Sequence, residues 1–204
     1  MPEVTAEQTG VQLLTLGRST MYVTVRGLTP LIVHKFSSKA RLQMLENMQK
    51  TTRAAKVAKD PVQEYKDAAY RMADGSHGFP CVAFKAATIG AARYFDKKIV
   101  NMTMLRGALF FRGEGPEQLV RIDGDPHMRE DVVTVGINGH DLRYRPEFTD
   151  WSTTLEIIYL PGVVTADSIV SLVEAGGMGG VGEWRPSKCE TGSFGTYKIE
   201  DVRS

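Results

Sequence analysis

Apolar and polar side chains alternate most cleanly over Met21-Tyr-Val-Thr-Val-Arg26, a period of two that predicts a half-buried strand. Gly27 and Pro30 close it, and Leu31-Ile-Val33 extends it past a turn. Ser37 or Ser38 is placed to cap a helix from about Lys39; from there to about Tyr70 the chain is rich in Ala, Lys and Met, and Pro61 forces a break. Asp74 to Pro80 is a turn cluster. A second helix is expected from Val82 to about Lys98, with Phe84, Ala87, Ala91 and Phe95 along one stripe. Short strands follow at 106–112 and 118–122, around Gly113-Glu-Gly-Pro116. Val132–Ile137 and Leu142–Arg145 read as strands joined by Asn138-Gly139, a strong hairpin signal. Trp151–Tyr159 is the best strand of the chain. Thr165 or Asp167 caps a helix through Ala175, and Phe194–Ile199 forms a final strand.

Strands and helices segregate along this order, which predicts an α+β architecture: a ferredoxin-like or RRM-like antiparallel sheet, helices on one face, and inserted β-hairpins. The 204 residues, 42% of them hydrophobic, suffice for one core. No internal repeat, low-complexity segment or interdomain linker is visible. Residues 1–19 read as a polar N-terminal arm and 20–204 as a single domain, with insertions at about 51–78 and 99–150.

Net charge is +1, but its distribution is uneven. Residues 1–17 carry two acids and no base. Residues 18–112 hold 17 Lys/Arg against 6 Asp/Glu, a surplus of +11; residues 113–204 hold 8 against 16, a deficit of −8. Such asymmetry suits a surface that meets a polyanion, or copies stacked head to tail, unless folding interleaves the halves and cancels the field. No apolar run approaches the ~18 residues of a membrane span and nothing resembles a signal peptide, so a cytoplasmic protein without a membrane partner is expected, in a prokaryotic or phage-infected cell. Cys81 and Cys189 lack the spacing of a metal site and read as free thiols.

The densest chemistry lies late in the chain. Seven of the twenty residues from Gly176 to Gly195 are glycine, and Trp184, Arg185 and Lys188 are set among them. Glycine admits φ > 0 and close backbone approach, while a cation pair and an indole supply phosphate contact and base stacking. A turn between helix and strand is the ordinary alternative, with Arg185 and Lys188 paired to Glu183 or Glu190. Lys35, Lys39 and Arg41 stand at a helix start, where acids are the usual choice, which suggests an anion there. Lys50, Arg53, Lys56 and Lys59 form a basic stripe, ordinarily a solvated face. Lys85, Arg93, Lys97 and Lys98 extend the basic surface, and Arg143 with Arg145 are further candidates on the hairpin. Paired carboxylates, a P-loop, a nucleophile elbow and His spacings fit for a metal are absent, so neither cofactor nor metal is expected.

Three segments together resemble the RAMP (repeat-associated mysterious protein) superfamily. Val23–Leu31 looks like its first strand and turn. Phe79 to Arg93 is similar to its proline turn leading into a helix that carries a Lys and an Arg. Phe79, Pro80, Phe84, Lys85 and Arg93 keep the pattern, while Cys81 and Val82 replace small residues. Gly180-Val-Gly182 through Gly192–Gly195 resembles its glycine-rich loop, with a longer basic spacer. The resemblance implies an RNA-binding module of the kind found in CRISPR effector complexes, nearest the backbone subunit that polymerises along a guide RNA. It also implies a hairpin thumb, here between Lys97 and Arg145.

The expectation is thus a non-catalytic protein that binds single-stranded nucleic acid, RNA ahead of DNA, and multimerises along the strand. Its contacts would come from Lys35, Lys39, Arg41, Lys85, Arg93, Gly180, Gly182, Trp184, Arg185 and Lys188. Two alternatives stand beside it. One is a metal-independent endoribonuclease using His34, since some RAMP-type ribonucleases use a histidine. The other is a self-assembling structural or interaction protein, for example from a phage, whose charge asymmetry serves subunit contacts.

Overall fold

A computed structural model of the chain describes residues 15–36, 59–135 and 139–203, together with positions 42, 44, 45, 48 and 49 of an intervening helix. In chain order the elements are β1 (Ser19–Gly27), β2 (Leu31–Ile32), α1 (Pro61–Asp67), β3 (Tyr70–Arg71) and β4 (His77–Pro80). Then come α2 (Cys81–Gly90), α3 (Met102–Ala108), β5 (Leu109–Arg112), β6 (Leu119–Arg121), β7 (Pro126–Val135) and β8 (Gly139–Phe148). The chain finishes with β9 (Ser152–Tyr159), α4 (Ala166–Gly179) and β10 (Tyr197–Arg203).

The main sheet has the order β10-β1-β9-β5, and each neighbouring pair is antiparallel. With α2 between β1 and β5, and α4 between β9 and β10, this is the βαββαβ arrangement of the ferredoxin-like fold, its four strands ordered 4-1-3-2. Alternation builds the sheet as the sequence requires. Met21, Val23 and Val25 of β1 are buried with Leu155 and Ile157 of β9, while Tyr22 faces solvent. Onto the inner face pack Phe84 of α2 and Ile169, Leu172 and Val173 of α4. Burying a ring such as Phe84 contributes about 2–3 kcal/mol. Trp151 lies across the end of β1 and donates from Nε1 to the Thr29 carbonyl at 3.0 Å; a Cβ on Gly27 would overlap its indole.

Two small sheets, β2-β8-β7 and β3-β4-β6, complete the architecture. The β7–β8 hairpin pairs from Pro126↔Phe148 out to Val135↔Gly139. It is longer than the alternation of Val132–Ile137 suggests, because charged residues fill its first half: Arg129 pairs with Glu147 and Arg145 with Asp131 across the strands, and Arg129 also with Asp131 on its own strand. Gly139 belongs to a strand, opposite Val135, rather than to a two-residue turn.

Other boundaries differ from expectation for identifiable reasons. The helix expected over 82–98 ends at Gly90 and tightens into a 3₁₀ turn over Ala91–Tyr94, leaving Lys97 and Lys98 outside it. Asn101 then caps a helix that takes the first three residues of the strand expected over 106–112, which begins at Leu109: its side-chain oxygen accepts from the Met104 N–H at 2.8 Å. Thr165 caps α4, which runs through Gly179 rather than stopping at Ala175. Its glycines permit close approach: a Cβ on Gly176 would come within 2.9 Å of the Ala87 backbone, and one on Gly177 would overlap the Tyr197 carbonyl. The N-terminal arm expected over 1–19 falls mostly outside the described residues, as do Lys50, Arg53 and Lys56 of the basic stripe.

The charge halves interleave. Lys35 pairs with Glu117, Lys59 with Asp141, Arg112 with Glu156, and Arg26 with both Asp150 and Glu200. Each pair joins the basic half to the acidic half, so part of the expected one-sided field is cancelled.

Candidate nucleic-acid interface

A cleft of about 410 Å³ opens between α2 and the C-terminal end of α4, bounded by the loop that follows α4. Its floor is made of small side chains. Ala83, Ala86, Ala87 and Gly90 recur at helical spacing on α2 and face Gly176 and Gly179 of α4. Arg93 and Tyr94 stand at one margin, Arg185 and Ser187 at another, and His34 with Tyr70 also line it. The proline turn, the following arginine and the glycine loop, far apart in sequence, therefore converge on one cavity.

The loop is held firmly. The Val181 N–H donates to the Gly195 carbonyl at 2.9 Å, Glu183 N–H to Ile32 at 3.0 Å, Ser187 N–H to Gly179 at 3.0 Å and Gly195 N–H to Pro30 at 2.8 Å. Gly180 and Gly182 sit at φ 68° and 80°, and a Cβ on Gly182 would come within 2.6 Å of the Ile32 carbonyl oxygen. Their glycine requirement is thus met inside the chain, by backbone conformation and by contact with β2. Trp184 adopts φ 55°, unusual for a residue with a side chain, and the residue remains 36% exposed.

Arg93 donates from Nε to the Gly90 carbonyl at 2.8 Å, and Arg185 donates from Nη1 to the Gly182 carbonyl at 2.6 Å. Neither guanidinium has a carboxylate partner among the described residues. One carbonyl fixes each fork and leaves other N–H groups free to meet an anion. Glu183 is the acid on the cleft wall, and Arg145 stands 3.8 Å from it. Burial holds the His34 imidazole below its ordinary range, and the Arg145 charge adds to that effect, so His34 is neutral at pH 7.

The remaining sequence candidates divide. Lys188 is exposed and has no ion pair among the described residues, but, like Trp184, it lies outside the cleft lining. Lys85 donates to the Arg106 carbonyl at 3.2 Å, away from the cleft. Lys35 is bound to Glu117 at 2.7 Å and lies 5.4 Å from the centre of the Tyr70 ring, so its charge is already countered. Lys39 and Arg41 lie outside the described residues. Arg145 is not a surface contact at all: it is 3% exposed and bonded to Asp131 at 2.6 Å. Tyr70, Tyr94, Ser187 and the floor were not anticipated. The i, i+3, i+4, i+7 run of small residues from Ala83 to Gly90 was a readable signal for the floor.

No protein-family model and no curated protein matches the chain. Among solved structures it is similar to one described as type III-B Cmr-beta bound to cognate target RNA, at 10% identity and TM-score 0.49, over 91% of this chain and 60% of that one. It is also similar to Cmr6 from Pyrococcus furiosus, at 10% identity and TM-score 0.46, over 91% of this chain and 100% of that one. The chain thus spans 60% of the length of the first of these. Among the described residues no helix is long and apolar enough to cross a membrane, and no group of three His, Cys, Asp or Glu is placed to hold a metal ion.

Proposed function

We propose that the protein binds single-stranded nucleic acid, RNA or DNA, in the cleft between α2 and the glycine loop, without acting on it chemically. The observation that carries this reading is the pairing of Arg93 and Arg185 on one cleft, each guanidinium anchored by a carbonyl and free of carboxylates among the described residues. Two such forks contact successive phosphates, and the small floor lets a sugar-phosphate backbone lie close to α2 and α4. Lys188 and Trp184 stand beyond the cleft as outer phosphate and stacking contacts. Several copies along one strand is the assembly this reading carries, and light scattering with and without oligonucleotide tests it. Fluorescence anisotropy with labelled 15-mers of unlike sequence tests binding itself. Arg93→Ala with Arg185→Ala should weaken all sequences about equally. Unchanged affinity in that variant, or no binding by the parent protein, overturns the reading.

One observation favours a second reading: His34 lines the same cleft and is neutral at pH 7, the state a general base requires. Cleavage of labelled RNA in the presence of a chelator, lost in His34→Ala, would establish a metal-independent ribonuclease.

A further inference from the structure

A second cleft, of about 470 Å³, is lined by residues of α3, β5 and β9 and by Arg18, just before β1. Phe110 and Arg112 alternate with the buried Leu109 and Phe111 on β5, so they face away from the core. Phe110 pairs in register with Ile158 and is half exposed, presenting a ring face beside an aliphatic side chain. Arg112 touches Glu156 at 2.8 Å through one nitrogen, and Arg18 is exposed, with no ion pair among the described residues. The volume falls within the roughly 300–1,000 Å³ of ligand clefts.

An independent feature lies on the same lining. Gly107 is the next-to-last residue of α3, where glycine costs up to about 1 kcal/mol relative to alanine. A Cβ there would meet nothing within 4 Å, unlike those of Gly176 and Gly177, so internal packing does not account for the glycine. The open space beside Gly107 leaves room on this lining for a ligand.

We infer that this cleft is a nucleotide site, with a base stacked on Phe110 beside Ile158 and the phosphate held by Arg18, next to the Glu156-paired Arg112. A ring needs a flat apolar surface, a phosphate needs guanidinium groups, and the lining of this cleft holds both. The site is separate from the Arg93–Arg185 cleft and does not depend on it. A free nucleotide and one residue of a strand share this chemistry.

The test is a titration of ¹⁵N-labelled protein with adenosine 5′-monophosphate and, separately, with decaadenylate, followed by amide shifts. Movement of Gly107, Phe110 and Ile158 is expected with at least one ligand. A response to the mononucleotide marks a stand-alone site; a response to the oligomer alone marks one station of a strand. Phe110→Ala should weaken that response by about 5- to 150-fold. Gly107→Ala should weaken it while raising the melting temperature, which separates impaired binding from impaired folding. The Arg93→Ala, Arg185→Ala variant should leave these shifts intact, so failure of the first cleft does not touch this one. Absence of shifts at these amides with both ligands, or parent-like binding by Gly107→Ala and Phe110→Ala, overturns the proposal.

Discussion

Arg145 reaches diagonally across the β7–β8 hairpin to Asp131 at 2.6 Å, one 3% and the other 8% exposed. Asp131 also accepts from Arg129 at 2.8 Å, and Arg129 reaches Glu147 at 2.9 Å while its guanidinium lies 4.8 Å from the centre of the Phe194 ring. Because Arg145 also approaches Glu183, this network ties the hairpin base to the glycine loop. Removing one partner of a buried pair leaves an uncompensated charge. Asp131→Ala is therefore expected to destabilise the protein by about 3–5 kcal/mol in denaturant unfolding, and adding Arg145→Met should recover much of the loss. Equal stability of Asp131→Ala and the parent would show that the network contributes nothing.

Glycines within helices should respond to substitution with opposite signs. A Cβ on Gly177 overlaps the Tyr197 carbonyl, so α4 and β10 must part to admit it. Gly177→Ala is expected to cost about 1–3 kcal/mol or more. Gly107→Ala, in open space, is expected to gain up to about 1 kcal/mol. Thermal melts of the two variants, compared at matched concentration, decide the matter.

His34 sets a pH dependence. Burial first, and then the charge of Arg145, lower its folded pKa below the ordinary value of 6.5, so the unfolded chain binds more protons in the window below that value. The stability arising from neutral His34 is fully present above about pH 6.5. It diminishes as pH falls from there toward the folded pKa. The urea midpoint should drop as pH falls below about 6.5, and His34→Gln should flatten that drop. At neutral pH the same substitution should leave the salt dependence of nucleic-acid binding unchanged, since His34 carries no charge there.

Much of the main sheet was legible in the sequence, because β1 and most of β9 alternate, so that a one-residue slip would turn Val23, Val25 and Leu155 outward. The α4 cap at Thr165 was legible for the same local reason. The end of α4 was not: Gly176 and Gly177 read as a loop by propensity, yet tertiary contact with Ala87 and Tyr197 makes glycine the residue that fits a helix there. Helix α3 was missed because its only local signal is the Asn101 cap, and the β-rich Leu109–Phe111 that follows, which does form β5, drew the expected strand back over Arg106–Ala108. For the candidate site, Arg93, Gly180, Gly182 and Arg185 were singled out by type, spacing and the family resemblance, and folding brings them to one cleft. Lys35 and Arg145 were misjudged because their partners, Glu117 and Asp131, lie 82 and 14 residues away. A sequence position does not show which cations are already neutralised.

The most direct test of the Arg93–Arg185 cleft is the slope of log affinity against log salt for a labelled single strand. Each phosphate that the protein no longer neutralises should lower that slope by about 0.7. The double alanine variant should therefore give a line shallower than the parent's by roughly 1.4, equally for every sequence tried. Parallel lines for parent and variant would mean that these two arginines do not touch phosphate, and the proposed function would fall with them.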